Sequence, residues 1–326
     1  MFLNLSCAEA GMSNNNKKTA IAYAGIISVV FIWAVIPLVK KALIGGSFSA
    51  SIFSAVTALS SALVLLVINR KKLKELNAAY FRAAVPTGVC LGGAALAQAL
   101  AYNFDASPTN QAFLENLSCI IVPVMLFVAV KKKPTALTIT ASVVCLASSV
   151  VLSGALEMGM KFHTADILNA VAGVLYGVNI AVTGIYAGRV VPSLYVMIQL
   201  FVQSVLSFAM AVAFNFICIG ERPIDPFAFS FDPWLILALV GVGVISNALC
   251  WTIRTSAMRY VSANVVAVIM PFSAVVTGII AVAIGSDSLS ISLVVGAILG
   301  LAASLLSATN DVLETKKHER GGSNQA

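Results

Sequence analysis

Ten times the sequence runs for about twenty residues through apolar side chains, and this constrains the fold more than any other feature. The runs span 20–39, 49–68, 84–103, 109–130, 136–154, 167–187, 193–217, 234–253, 263–284 and 290–308, with Glu115 their one charged residue. Twenty apolar residues wound as an α-helix cross the hydrocarbon core of a bilayer. Barrel strands would be half as long and would alternate in polarity. With no water to satisfy the backbone, a continuous apolar run must bond within itself, so each is expected to be a helix. The sequence predicts an all-α membrane protein with ten transmembrane helices.

What lies between the runs orients them. Only 10% of the residues are charged, against 60% apolar, and mean hydropathy is +0.97, too little charge to clothe a soluble domain of this length. The net charge of +7 would suit nucleic acid, but the cations sit in short clusters between spans, so membrane lipids and no nucleic acid are the expected partners. With both tails in the cytoplasm, sixteen of the twenty Lys and Arg fall on the tail side, including Lys17, Lys18, the 70–82 cluster, Lys131 to Lys133, Arg254 and Arg259. Only Lys40, Lys41, Lys161 and Arg222 fall opposite, which places the protein as a multi-pass integral protein of the cytoplasmic membrane. Met12, followed by a polar and basic stretch, is expected to be the natural first residue; intact mass from the native locus tests this. The six cysteines form no CxxC pair, and all but Cys7 lie in or beside apolar runs, as small fillers of helix contacts do.

The chain also repeats. Phe31-Ile32-Trp33 in helix 1 is echoed by Val174-Leu175-Tyr176 in helix 6, and Ala101 to Phe104 after helix 3 by Ala257 to Tyr260 after helix 8. A polar break and a helix with Pro123 or Pro271 follow in each case. Five helices per unit is an odd number, so the second unit must enter the membrane upside down. The expected organisation is a cytoplasmic tail over 1–19, one five-helix repeat over 20–163, a second, inverted repeat over 164–309 and a cytoplasmic tail over 310–326. Inverted repeats mark secondary transporters, whose sites lie where the halves meet.

Trp33 followed by Lys40, the 101–107 stretch, the run from Phe113 to Pro123 and that from Ala257 to Pro271 together resemble the drug/metabolite transporter superfamily, in its ten-helix EamA branch. The resemblance covers about residues 20 to 309. It implies alternating access by two inverted five-helix repeats, and members export amino acids and other metabolites or import them. Helix 2 lacks the arginine that members often carry, and no glutamate follows helices 4 and 9, so no particular member's substrate is implied.

Polar residues inside the spans are the candidates for function, because each must be satisfied without water. Glu115, with Gln111 and Ser118 on its face of helix 4, sits where desolvation favours the neutral acid, which suits it to proton coupling or to binding a cationic group, a structural hydrogen bond or a pair with Lys40 being the alternative. Tyr176, Asn179 and Thr183 share a face of helix 6; Tyr195, Gln199, Gln203 and Ser207 one of helix 7. Asn247, Trp251 and Arg254 share a face of helix 8, and Gln98 with Tyr102 one of helix 3. With Trp33 they are expected to line a wet cavity, so the predicted substrate-binding residues are Trp33, Gln98, Tyr102, Gln111, Glu115, Tyr176, Asn179, Gln199, Gln203, Asn247 and Trp251. Arg254, near the inner end, is open to snorkelling as well. The GxxxG pairs 88/92, 173/177, 184/188 and 296/300 bring backbones close, the last being suited to pairing two copies as a homodimer. Prolines 37, 123 and 271 are expected to kink their helices and free carbonyls for neighbours or water.

His163 and His318 fall in a loop and a tail, and no GxxxxGK phosphate loop is present, so no catalytic residues, metal or cofactor are expected and the chain is not read as an enzyme. The expected function is secondary active transport of a small metabolite, amino acid-like or an organic cation, proton-coupled and directed outward. Import or facilitative passage of a substrate such as a quaternary amine is the alternative, and a non-transporting structural or regulatory membrane protein is the alternative of another class.

Overall fold

The computed structural model describes residues 2–44, 46–104, 114, 117–131, 133–152, 163–219, 222–284 and 291–323. Glu115, Gln111 and the 105–110 break lie outside these residues. Ten apolar helices follow one another among the described residues, seven of them long enough to cross a membrane. They are α1 (Phe2–Leu43), α2 (Ala50–Ile68), α3 (Ala78–Leu100), α4 (Ser118–Val130), α5 (Ala136–Leu152), α6 (Thr164–Tyr186) and α7 (Pro192–Phe216). The last three are α8 (Pro233–Ala257), α9 (Ala263–Ile269 and Phe272–Ala283) and α10 (Ile291–Ser323). A two-residue antiparallel hairpin, Cys218–Ile219 with Arg222–Pro223, lies between α7 and α8, and single bridges join Phe48 to Ile44 and to Phe229.

Local chemistry sets the ends. Asn77 accepts from the amides of Ala79 and Tyr80 to start α3, Asp232 caps α8 at Trp234, and Pro192 and Pro233 fill first-turn positions whose missing amide costs nothing. The start of α2 is capped from far along the chain. Asp225, buried between α7 and α8, accepts from the amides of Ala50 at 3.0 Å and Ser51 at 2.7 Å, and from the Asn103 amide at 2.9 Å. At the opposite end of the bundle Ser193 Oγ donates to Asn69 Oδ1 at 2.7 Å and the Val191 amide to the Tyr80 hydroxyl at 2.9 Å. The start of α7 is thus tied to the end of α2, and the start of α2 to the segment after α7.

That reciprocity runs through the packing. Exchanging each helix with the one five places on maps α3 on α6 to α1 on α8, α4 on α6 to α1 on α9, and α3 on α7 to α2 on α8. The α2–α7 and α5–α10 contacts map onto themselves. Such a contact pattern is that of two five-helix units related by a two-fold axis. Because successive helices alternate in direction, helices five apart run oppositely and the units are inverted.

Small residues make the contacts close. A side chain at Gly88 or Gly92 would press within 3.0 Å of the α7 backbone at Gln199 and Gln203. The Gly296/Gly300 pair is occupied within the chain: Ser148 of α5 donates to the Gly296 carbonyl at 2.6 Å, and its hydroxyl lies 3.1 Å from where a Gly300 Cβ would stand. Proline disrupts two of the helices in different ways. Pro123 leaves the Cys119 carbonyl without its helical partner, and Ser142 Oγ of α5 donates to it at 2.8 Å. At Pro271 α9 breaks into two pieces.

The middle of α8, Gly243–Leu249, is wound as a π-helix, which nothing in the spacing predicts. Gly243 lets α2 approach there, since a Cβ would stand 2.6 Å from the Thr57 carbonyl, whereas at Gly241, one half-turn away, nothing lies within 4 Å. Gly243→Ala is therefore expected to destabilise the protein by roughly 1–3 kcal/mol, the range for overpacking, while Gly241→Ala is neutral or slightly stabilising. Thermal unfolding of the two variants in detergent checks the contrast.

Candidate functional site

A cavity of about 110 Å³ lies among α1, α2, α3, α4, α6, α7, α8 and α9, where the two units meet. Its wall combines apolar and aromatic side chains with nearly as many polar ones, and convergent polar groups of this kind orient a ligand in a small-molecule site. Trp251 is the centre of its aromatic side. Trp33 from the first unit stands 5.0 Å away ring to ring, and Tyr176 from the second stacks at 5.9 Å. Trp33 Nε1 donates at 3.1 Å to the Ser246 carbonyl, inside the π-helical segment. The π-turn therefore does two things for the site: it turns Ser246 and Asn247 onto the wall, and it offers a carbonyl to the facing unit.

Two cations line the cavity, and among the described lining residues no acid does. Lys40 of α1 donates to Gln98 Oε1 of α3. Arg254 of α8 is only 1% exposed; its Nη2 donates at 2.7 Å to Asn179 Oδ1 of α6, and its guanidinium lies 3.8 Å over the Trp251 ring. Arg254 is thus a membrane-embedded cation of the wall. It does not snorkel to the inner face, and it does not belong with the loop charges counted for orientation.

Beneath the wall runs a buried polar chain that holds Arg254 in place. Asn179 Nδ2 donates to the Thr87 carbonyl at 2.9 Å, and the hydroxyls of Thr87 and Tyr195 share a hydrogen bond of 2.8 Å. Four helices, α3, α6, α7 and α8, meet in this chain. The Asn179 amide spends its oxygen on a charge and its nitrogen on a backbone carbonyl, so its orientation is determined from both sides.

Of the residues predicted from sequence, Trp33, Gln98, Tyr176, Gln203, Asn247 and Trp251 stand on the wall. Asn179 stands behind it, bonded to Arg254. Tyr102 turns its hydroxyl to the Pro37 carbonyl at 3.0 Å. Gln199 lies in the close α3–α7 contact opposite Gly88. The helix 7 stripe is thus mainly a helix contact, with Gln203 reaching the cavity and donating to Ser54 at 3.4 Å. Gln111 and Glu115 lie outside the described residues. Sequence reading missed Ser54 and Thr57 of α2 and Ser246, Pro271 and Ser273 of the second unit. The hydroxyls of α2 were visible as a run of small polar residues, but such runs ordinarily glue helices together and carry no directional signal.

Residues 164–309, from α6 into α10, match the EamA-like transporter family. No curated protein sequence matches the chain. A solved crystal structure superposes with a TM-score of 0.67 at 17% identity, covering 90% of this chain and 98% of its own, which establishes a shared fold.

Asn179→Leu keeps the branched shape but removes the amide that pairs with the Thr87 carbonyl and the Arg254 guanidinium. It is expected to cost about 1–3 kcal/mol, as for a broken buried hydrogen-bond pair, and to lower the melting temperature measured in detergent.

Proposed function

We propose, from the EamA-like transporter domain that its second half carries, that this multi-pass membrane protein is a secondary active transporter that moves a small, amino acid-like metabolite by alternating access. The observation that carries this reading is the place of the cavity: aromatic and polar groups of both inverted units converge on it, and it lies where rocking of one unit against the other would expose it to either side. Hydrogen bonds between the units tie both ends of the bundle, Asp225 with the start of α2 at one and Ser193 with Asn69 at the other. In an alternating cycle one set opens while the other holds. The positive-inside distribution puts both tails in the cytoplasm of a cell whose cytoplasmic membrane houses the protein, and export is the direction we assign.

Proteoliposomes loaded with a cellular metabolite extract test this directly. Mass spectrometry of the external medium is expected to show one chemical class leaving protein-containing vesicles and retained by empty ones; retention of every metabolite under all imposed gradients removes the transport reading. Trp33→Ala and Tyr176→Ala each strip one aromatic from the wall and are expected to slow that efflux at least tenfold at unchanged protein abundance.

Coupling is assigned to Glu115, the one acid within the ten apolar runs of the sequence. A carboxyl that is alternately protonated and exposed to the two sides can link proton and substrate movement. Glu115→Gln keeps the shape and removes the exchangeable proton, so it is expected to abolish accumulation driven by a pH gradient while downhill exchange persists. A Glu115→Gln protein that still concentrates substrate shows that coupling lies elsewhere.

A further inference from the structure

We infer that the substrate of this cavity carries an anionic group, and that Arg254 is the residue that receives it; the inference rests on the reading of the cavity as the transport site. A guanidinium has five N–H donors and stays charged at any physiological pH. That of Arg254 is 1% exposed, inside a membrane span. One donor is used on a neutral amide oxygen, Asn179 Oδ1, and the ring of Trp251 lies against its face. Neither partner carries a negative charge. Nε has no hydrogen-bond partner among the described residues, and the side chain lines the cavity. A buried cation held by a neutral amide and an aromatic face, with a donor to spare, is an incomplete ion pair, and such a charge is costly until an anion completes it.

The rest of the wall agrees. The second charge on the described wall is also positive, Lys40, which donates to Gln98. The two cations stand in matching arrangements. In the first unit a cation of α1 rests on an amide of α3; in the second an amide of α6 holds a cation of α8. Counting back from Ala101 and Ala257, Gln98 and Arg254 occupy equivalent positions in the two repeats, and both line the cavity.

The aromatic cluster is also spoken for in a telling way. Cation–π attraction would draw an organic cation to Trp251, but Arg254 already stacks on that ring at 3.8 Å. A cationic substrate would meet the like charge of Arg254 in a low-dielectric site. An anion with a short apolar body meets the complementary charge of Arg254, a fork suited to carboxylate or phosphoryl oxygens, and the faces of Trp33 and Tyr176 for its body.

Isosteric ligands that differ only in charge test this without any need for transport. Benzoate, benzamide and benzamidine share one shape, as do acetate, acetamide and acetamidine. Isothermal titration of the full-length protein in detergent is expected to show at least one carboxylate binding tenfold or more tighter than its amide, with its amidine weakest. Phenylphosphonate in the same series separates a carboxylate site from a phosphoryl one. Arg254→Gln is expected to bring acid and amide within twofold, and Arg254→Lys to restore part of the difference. The wild-type comparison decides the matter even where a variant fails to fold. If no carboxylate or phosphonate exceeds its neutral partner, the result expected should Glu115 itself neutralise the guanidinium, the inference is overturned; preference for the amidine overturns it too. A protein that prefers the anion yet releases nothing from vesicles leaves the anion site standing and removes the transport reading, while efflux without anion preference does the reverse.

Discussion

Inside a bilayer every polar group must find its partner within the protein, and the arrangement of this molecule follows from how each one does so. Where Pro123 removes an amide from α4, Ser142 supplies a hydroxyl to the orphaned Cys119 carbonyl. Near Pro37, Thr277 of α9 donates to the Ala34 carbonyl at 2.7 Å, and beside the break at Pro271 Ser304 of α10 donates to the Val268 carbonyl. The first amides of α2 have no capping side chain of their own from Ser49 and take the carboxylate of Asp225 instead. Each of these bonds ties one helix to a separate segment, and those of Thr277 and Asp225 reach across 243 and 175 residues, so satisfying the backbone is also what assembles the bundle.

The same rule explains why the cavity has the chemistry it has. Hydrophobic attraction between helices vanishes in lipid, and close contact depends on small residues such as Gly88, Gly92 and Gly243. Those contacts bring α3 onto α7 and α8 onto α2, and the space left between the pairs is where large aromatic and long polar side chains point inward. Trp33, Tyr176 and Trp251 fill the middle of it, and Arg254 and Lys40 bring the charge. The two units share a plan and differ in what they place on it: Gln98 in one stands where Arg254 stands in the other. A cavity built on a repeated frame thereby carries a neutral amide at one position and a cation at its equivalent.

How the sequence conceals some of this is clear from particular residues. Trp33 and Trp251 are bulky polar-edged aromatics at helical spacing, and their place on the wall was legible. Gln199 has the same spacing signal as Gln203 one turn on, and both face a glycine of α3, yet only Gln203 lines the cavity while Gln199 is wholly buried. Arg254 sits one turn from the end of its helix, a position from which an arginine ordinarily reaches the headgroups; Asn179 and Trp251 turn it inward instead. Neither outcome follows from periodicity, since both depend on which helix stands alongside.

The sequence by itself determined that the chain lives in a membrane, that it crosses as helices, where those helices run, and that two units of five face opposite ways. Length, apolarity and the parity of five are one-dimensional facts, and the cost of an unsatisfied backbone in lipid converts them directly into structure. Only the tertiary structure decided that α8 carries a π-helical turn, that Asp225 caps a helix 175 residues earlier, and that two cations share the cavity. Those features are set by distances between side chains far apart along the chain, and a linear pattern holds no measure of such distances.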